Sequence, residues 1–291
     1  MSYEDGWAAM RLEMPPRIPR TEYSAPNHWE LVKAVTGIDV ALDSPAPEKN
    51  RASLAFMKAW NYDFFWSTGI ARQIFGDKRT SMGHAEYAAG GVDRNDNVFR
   101  LYDDPEQALD FDPWEAYGPR DRDSIRLDFE KKYRANAAAH PDGVNMTGIY
   151  VTLVSGLIDI FGWEIMLTMA GLDREKFALL VDRYASWIGQ YVEALAAADA
   201  PVAMIHDDFV LSAGPIFHPD FYRARLFPHY RRFFGMLRDS GKKVMFTSDG
   251  DYSLFIDDLA RAGVDGFVME PMTNMRYIAE KYGRTHAFVG N

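Results

Sequence analysis

Residues 241–251 read Gly-Lys-Lys-Val-Met-Phe-Thr-Ser-Asp-Gly-Asp, and this stretch decides the fold. Gly241 follows Arg238 and closes an amphipathic pattern that begins at Pro219, which is how a helix with a basic last turn ends. Residues 243–246 then carry a short apolar run bounded by turn residues, which predicts a buried strand. The run passes directly into Thr247-Ser248-Asp249-Gly250-Asp251, so polar side chains gather at the strand's carboxyl end. The same rhythm recurs on both sides. Apolar runs at 62–66, 146–153, 202–205, 266–269 and 286–289 alternate with helical patterns at 173–198, 219–240, 252–262 and 274–282. Alternation of this kind indicates parallel β/α units. Residues 1–60 read as an irregular, proline-held arm with helices ending near Gly37 and spanning 49–61, packed on a barrel domain at 61–291. Residues 80–140 are punctuated by Gly, Asn and Pro and predict hairpin and loop excursions with one helix over 124–139. Gly290-Asn291 follow a strand pattern with no further unit behind them, so the last β/α unit of the barrel is expected to be missing.

Composition narrows the chemistry. The 291 residues are 47% hydrophobic and 25% charged, ordinary globular proportions that exclude disorder and fibrous classes. There is no cysteine, which removes disulfides, thiolate nucleophiles, iron–sulfur clusters and thiolate-held zinc. The net charge of −10 argues against nucleic acid as a partner. The most apolar stretch, 148–172, is broken by Asp159, Glu164 and glycines and reads as a strand and a core helix rather than a membrane span. A cytoplasmic protein is the reading. P-loop, GxGxxG and HExxH motifs are absent.

Four successive strands end in acid, amide or imidazole: His206-Asp207-Asp208, Thr247-Ser248-Asp249, Glu270-Pro271 and Gly290-Asn291. In a β/α barrel these positions surround one mouth. His206, Asp207, Asp208 and Asp249 are the catalytic candidates, and Tyr150, His84, Glu270 and Asn291 the substrate-binding ones. Adjacent residues of a strand point to opposite faces, so one of Asp207 and Asp208 is expected in the mouth and the other against a neighbouring element. His206 reads equally as a structural histidine and as a proton carrier. Asp251, just before a helical pattern, fits a cap. Trp187, Tyr191 and Phe177 stand at helical spacing and are expected in the core. Clustered carboxylates should keep one acid protonated near neutral pH. An optional metal site is drawn from Glu270, Asp249 and His206, an oxygen and nitrogen set.

The segments 202–208, 219–228, 241–250, 263–271 and 282–291 resemble the uroporphyrinogen decarboxylase superfamily, best at Gly241 to Gly250, in Ala262-Gly263-Val264-Asp265 and in Gly290-Asn291. The resemblance implies a (β/α)8 TIM barrel. The superfamily holds porphyrinogen decarboxylases and corrinoid-linked methyltransferases. The decarboxylases carry several arginines after their first strand; the matching stretch here, 64–72, has only Arg72, and the mouth is acidic. Zinc-dependent members use a His-x-Cys pair, which falls here on Thr247-Ser248-Asp249. These departures point to methyl transfer between a small methylated compound (a methyl ether or methylamine type) and a corrinoid protein that brings its own cofactor. Porphyrinogen decarboxylation is the alternative, and a non-catalytic barrel serving as a binding subunit is a second one. No tightly bound cofactor is expected, zinc without thiolate ligands remains open, and so does homodimerisation.

Overall fold

A computed structural model describes residues 2–81, 86–88, 91–93 and 99–290. The chain divides into two compact units. The first takes Met1–Trp66, Ala85–Asp96 and Ala135–Asn145, so the expected border at residue 60 falls inside it. It contains α1 (Tyr3–Met10), α2 (Trp29–Thr36), α3 (Ala46–Ala59), β1 (Phe64–Phe65), the antiparallel hairpin β2 (Glu86–Ala88) and β3 (Gly91–Asp93), and β4 (Val144–Asn145). Helix α1 was not expected in a proline-held arm. The Ser2 hydroxyl accepts from the Asp5 amide, and Glu4 and Asp5 favour the positive end of the helix, so a cap opens the arm before its prolines begin. Gly37 ends α2 in the left-handed region, at φ 74°. Beyond α1 the arm is fastened by Asp63: its buried carboxylate accepts both Arg17 guanidinium nitrogens, at 2.6 and 2.7 Å, and the amides of Ser2 and Arg20.

The second unit takes Ser67–His84, Asn97–Arg134 and Met146–Asn291. Two short helices, α4 (Pro105–Ala108) and α5 (Pro113–Tyr117), precede α6 (Arg122–Ala139). Each starts at an Asp-Pro pair, the Asp side chain accepting amides of the first turn, a signal the loop reading passed over. Then come β5 (Thr147–Ile149), α7 (Val154–Leu172), α8 (Arg174–Ala197), β6 (Val202–His206), the hairpin β7 (Val210–Leu211) and β8 (Gly214–Pro215), α9 (Pro219–Phe221), α10 (Phe227–Asp239), β9 (Lys243–Ser248), α11 (Ile256–Ala262), β10 (Gly266–Met269), α12 (Met275–Tyr282) and β11 (Ala287–Val289). A π-helical turn, Tyr222–Leu226, joins α9 to α10, so the single helix expected over 219–240 is one path with a widened turn.

Strands β11-β10-β9-β6-β5 form one sheet in that order, every pair parallel. Ile70 adds a parallel bridge to Ile149. Among the described residues the sheet is open rather than closed on itself. Side-chain alternation sorts its faces. Ala203, Ile205, Val244, Phe246 and Phe267 belong to the large core cluster with Trp187, Phe177 and Tyr191 of α8, where those aromatics were expected. Met204, His206, Met245 and Thr247 alternate to the other face. Helix α7 is long and apolar enough to span a membrane by composition alone, but 67% of that stretch is buried inside the protein, and Gly162 interrupts its helical geometry.

Candidate active site

Parallel register brings the strand ends level. His206 stands opposite Thr247, and Thr247 opposite Val268. Just past the strands, Asp208 Oδ1 lies 3.0 Å from His206 Nε2 and accepts the Asp249 amide at 3.1 Å. The Glu270 carboxylate accepts the Gly250 amide at 2.8 Å. His206 and Asp208 are buried, and Asp249 is exposed.

The protonation of His206 follows from its partners. Nδ1 lies 2.8 Å from the Tyr150 carbonyl oxygen, which can only accept, so Nδ1 carries a hydrogen. Nε2 faces a carboxylate and gains from carrying one too. Burial works against the charge, but the Asp208 carboxylate and its hydrogen bond, with the Tyr150 carbonyl and Asp249, push the imidazole up to about 9. A group that holds a proton at neutral pH is therefore this imidazolium. The Tyr150 ring stacks on it, centroids 3.8 Å apart and planes 7° from parallel, so an electron-rich face covers the cation.

Asp207 corrects the sequence reading. It was a catalytic candidate, yet its side chain is fully buried on the opposite face of the strand, where it accepts the amides of Leu153, Val154 and Ser155 and the Tyr230 hydroxyl. Burial pushes its carboxyl above the usual range, and these donors oppose that push. Alternation along β6 decides which of the two aspartates meets the mouth: it is Asp208. Asp251 sits in a turn, where its carboxylate accepts the Ser253 amide at 2.9 Å; the N-cap positions of the 3-10 turn and of α11 that follow are Tyr252 and Phe255, so the expected cap is not formed.

The structure thus gathers His206, Asp208, Asp249 and Tyr150. His206, Asp208 and Asp249 offer one ligand atom each, all within 4.8 Å of one another. A hydrogen on Nδ1 held by a carbonyl is the arrangement that leaves Nε2 for a metal, and the set suits a cation that accepts oxygen and nitrogen ligands. Glu270, also expected as a ligand, is not in this group, and one of its oxygens accepts the Gly250 amide. His84 and Asn291 lie outside the described residues. Thr247 was not singled out by sequence: its hydroxyl, beside His206, is buried and meets no hydrogen-bond partner among the described residues.

The uroporphyrinogen decarboxylase (URO-D) family profile matches residues 141–291, just over half of the chain and the part that carries the whole cluster. The chain belongs to the uroporphyrinogen decarboxylase family. The fold class is therefore the (β/α)8 barrel of this family, which the parallel β/α units of the second unit follow. A methyltransferase from Methanosarcina mazei is similar in structure, with a TM-score of 0.60 and 18% identity, over 100% of this URO-D-family chain and 83% of that one. No curated protein sequence matches significantly.

Proposed function

We propose that this URO-D-family protein moves a methyl group between a small methylated compound, of methyl ether or methylamine type, and a corrinoid-carrying partner protein. The observation that carries the reading is the buried His206–Asp208 pair beside exposed Asp249. Removing methyl from an ether or an amine leaves an oxygen or nitrogen that needs a proton as the C–O or C–N bond breaks. The proton shared by His206 Nε2 and Asp208 Oδ1 serves that need, because a group near 9 is charged at neutral pH yet releases readily to a basic leaving atom. Asp249 is close enough to hold a cationic amine or to orient the leaving group, and the Thr247 hydroxyl offers a further hydrogen bond on the same face. A docked corrinoid would supply the metal centre that accepts the methyl group. A divalent cation, where bound, would take His206, Asp208 and Asp249 as ligands and replace the Nε2 hydrogen. The methyltransferase named among the structural relatives supports the general kind of reaction through shared fold.

A second reading, decarboxylation of a porphyrinogen, is favoured by the imidazolium, which could protonate the carbon that loses carbon dioxide. Asp208, Asp249 and Glu270 at neighbouring strand ends would repel a substrate with many carboxylates. The test offers the protein a reduced corrinoid protein and a panel of methyl ethers and methylamines, and follows cobalt methylation by absorbance. Carboxyl loss from uroporphyrinogen, measured in parallel, decides for the second reading. Inactivity in both leaves the binding subunit.

A further inference from the structure

Helix α7 starts without a cap of its own. Leu153 occupies the N-cap position and offers no side-chain acceptor, although the first amides of any helix lack intrahelical partners. The acceptor comes from another element: the Asp207 carboxylate, at the end of β6, takes the amides of Leu153, Val154 and Ser155 at 3.1, 3.2 and 2.6 Å. Its remaining donor is the hydroxyl of Tyr230, on α10. A buried carboxylate is a costly way to cap a helix, since a serine or aspartate at position 153 would do so locally.

What the arrangement adds is a closed circuit around the site. The Ser155 hydroxyl accepts the Asp208 amide at 2.7 Å. The Tyr150 carbonyl accepts His206 Nδ1–H, and the Tyr150 ring covers the imidazole. The Tyr184 hydroxyl, from α8, donates to the Val151 carbonyl at 2.7 Å. Both members of the His206–Asp208 pair are therefore set by residues 150–155, the loop after β5 with the first turn of α7, and Asp207 fixes the far end of that segment. We propose that Asp207 is a positioning residue, which through Ser155 and Tyr230 holds the segment that aligns His206 with Asp208. It touches no substrate, being fully buried on the other side of the strand. The kinetic part of the test rests on the methyl-transfer reading; the spectroscopic part does not.

Asp207→Asn would present an amide to donors and could fail to fold, so the informative variants are Tyr230→Phe and Ser155→Ala. The first keeps the ring among Phe209, Phe234 and Phe246. In metal-free protein with labelled histidine and no substrate, proton NMR should show the far-downfield Nε2–H of His206, protected by Asp208 and identified by its loss in His206→Gln. The proposal expects that resonance to broaden or vanish in both variants while circular dichroism stays that of the wild type. An unchanged resonance in both overturns it, whatever the outcome of methyl-transfer assays. In those assays kcat should fall at least about tenfold with KM unchanged, the mark of an interaction felt only in the transition state. A rise in KM alone would overturn the assignment and leave Asp207 a fold element.

Discussion

Asp208→Asn should weaken the ionisation of His206. The wild-type imidazole sits at about 9 against an ordinary 6.5, and that rise corresponds to about 3 kcal/mol of preference for the charged form. Burial is the largest influence on this group and opposes the charge; the Asp208 carboxylate overcomes it. Without the carboxylate, burial is opposed only by the Tyr150 carbonyl and Asp249, and the His206 pKa should fall. The sign for stability follows. A pKa raised by folding gives stability that is fully present below 6.5 and is lost as pH rises through about 9. Urea unfolding at pH steps from 6 to 10 should therefore show the wild type losing up to about 3 kcal/mol across this window. The variant should show a smaller loss, and the gap between the two should be largest near pH 6. A pH-independent offset is also expected, because Asp208 Oδ1 accepts the Asp249 amide. Histidine NMR reads the same change directly. A wild type whose stability is flat between 6.5 and 9, or a His206 that still titrates near 9 in the variant, would refute the ion pair and with it the proton source.

Asp249→Asn, at an exposed position, should leave the fold unchanged and lower the methylation rate at least about tenfold, ~1.4 kcal/mol of transition-state stabilisation; an unchanged rate removes Asp249 from the mechanism. In titrations with Mn2+ or Zn2+ followed calorimetrically, His206→Ala should abolish whatever binding the wild type shows and Glu270→Gln should not, since Glu270 stands outside the ligand group. Asp63→Asn should cost about 1–2 kcal/mol, because a neutral amide replaces the charged acceptor of the part-exposed Arg17 and of two backbone amides, and should speed proteolysis within residues 1–20. Burial opposes the Asp63 charge but Arg17 and the backbone amides hold its carboxyl below the usual range, so this contribution persists above the ordinary carboxylate pKa and is lost as pH falls through the lowered one. Gly148→Ala should destabilise by about 3 kcal/mol or more in thermal unfolding, since its new methyl would lie 1.8 Å from the Met204 carbonyl oxygen.

What the sequence disclosed and what it hid divide along the range of the contacts. The run of residues 202–205 into His206-Asp207-Asp208 is local: a short continuous apolar run and the turn that follows suffice to place the strand, and side-chain alternation says that its two aspartates diverge. Which one diverges inward depends on α7 and α10, whose residues lie 23 to 54 positions away from Asp207, and nothing in a single chain announces that Leu153 lacks a cap that Asp207 will supply. The strand expected over 146–153 stops at Ile149 for the same reason. The chain must turn at Tyr150 so that the amides of 153–155 face Asp207 and the Tyr150 carbonyl faces His206. Helix α1 escaped because three prolines follow it closely and masked a short, well-capped segment. The expected upward push on a carboxyl falls on Asp207 and comes from burial, while the imidazole, placed between a carbonyl and a carboxylate, is pushed up as well.

The most direct measurement of the central claim is the cobalt spectrum of a reduced corrinoid protein incubated with this protein and one methylated donor at a time, with His206→Gln and Asp208→Asn alongside. Methylation by at least one ether or amine donor, depressed at least about tenfold in both variants, is the predicted result. No methylation with any donor, together with carboxyl loss from uroporphyrinogen, would contradict it.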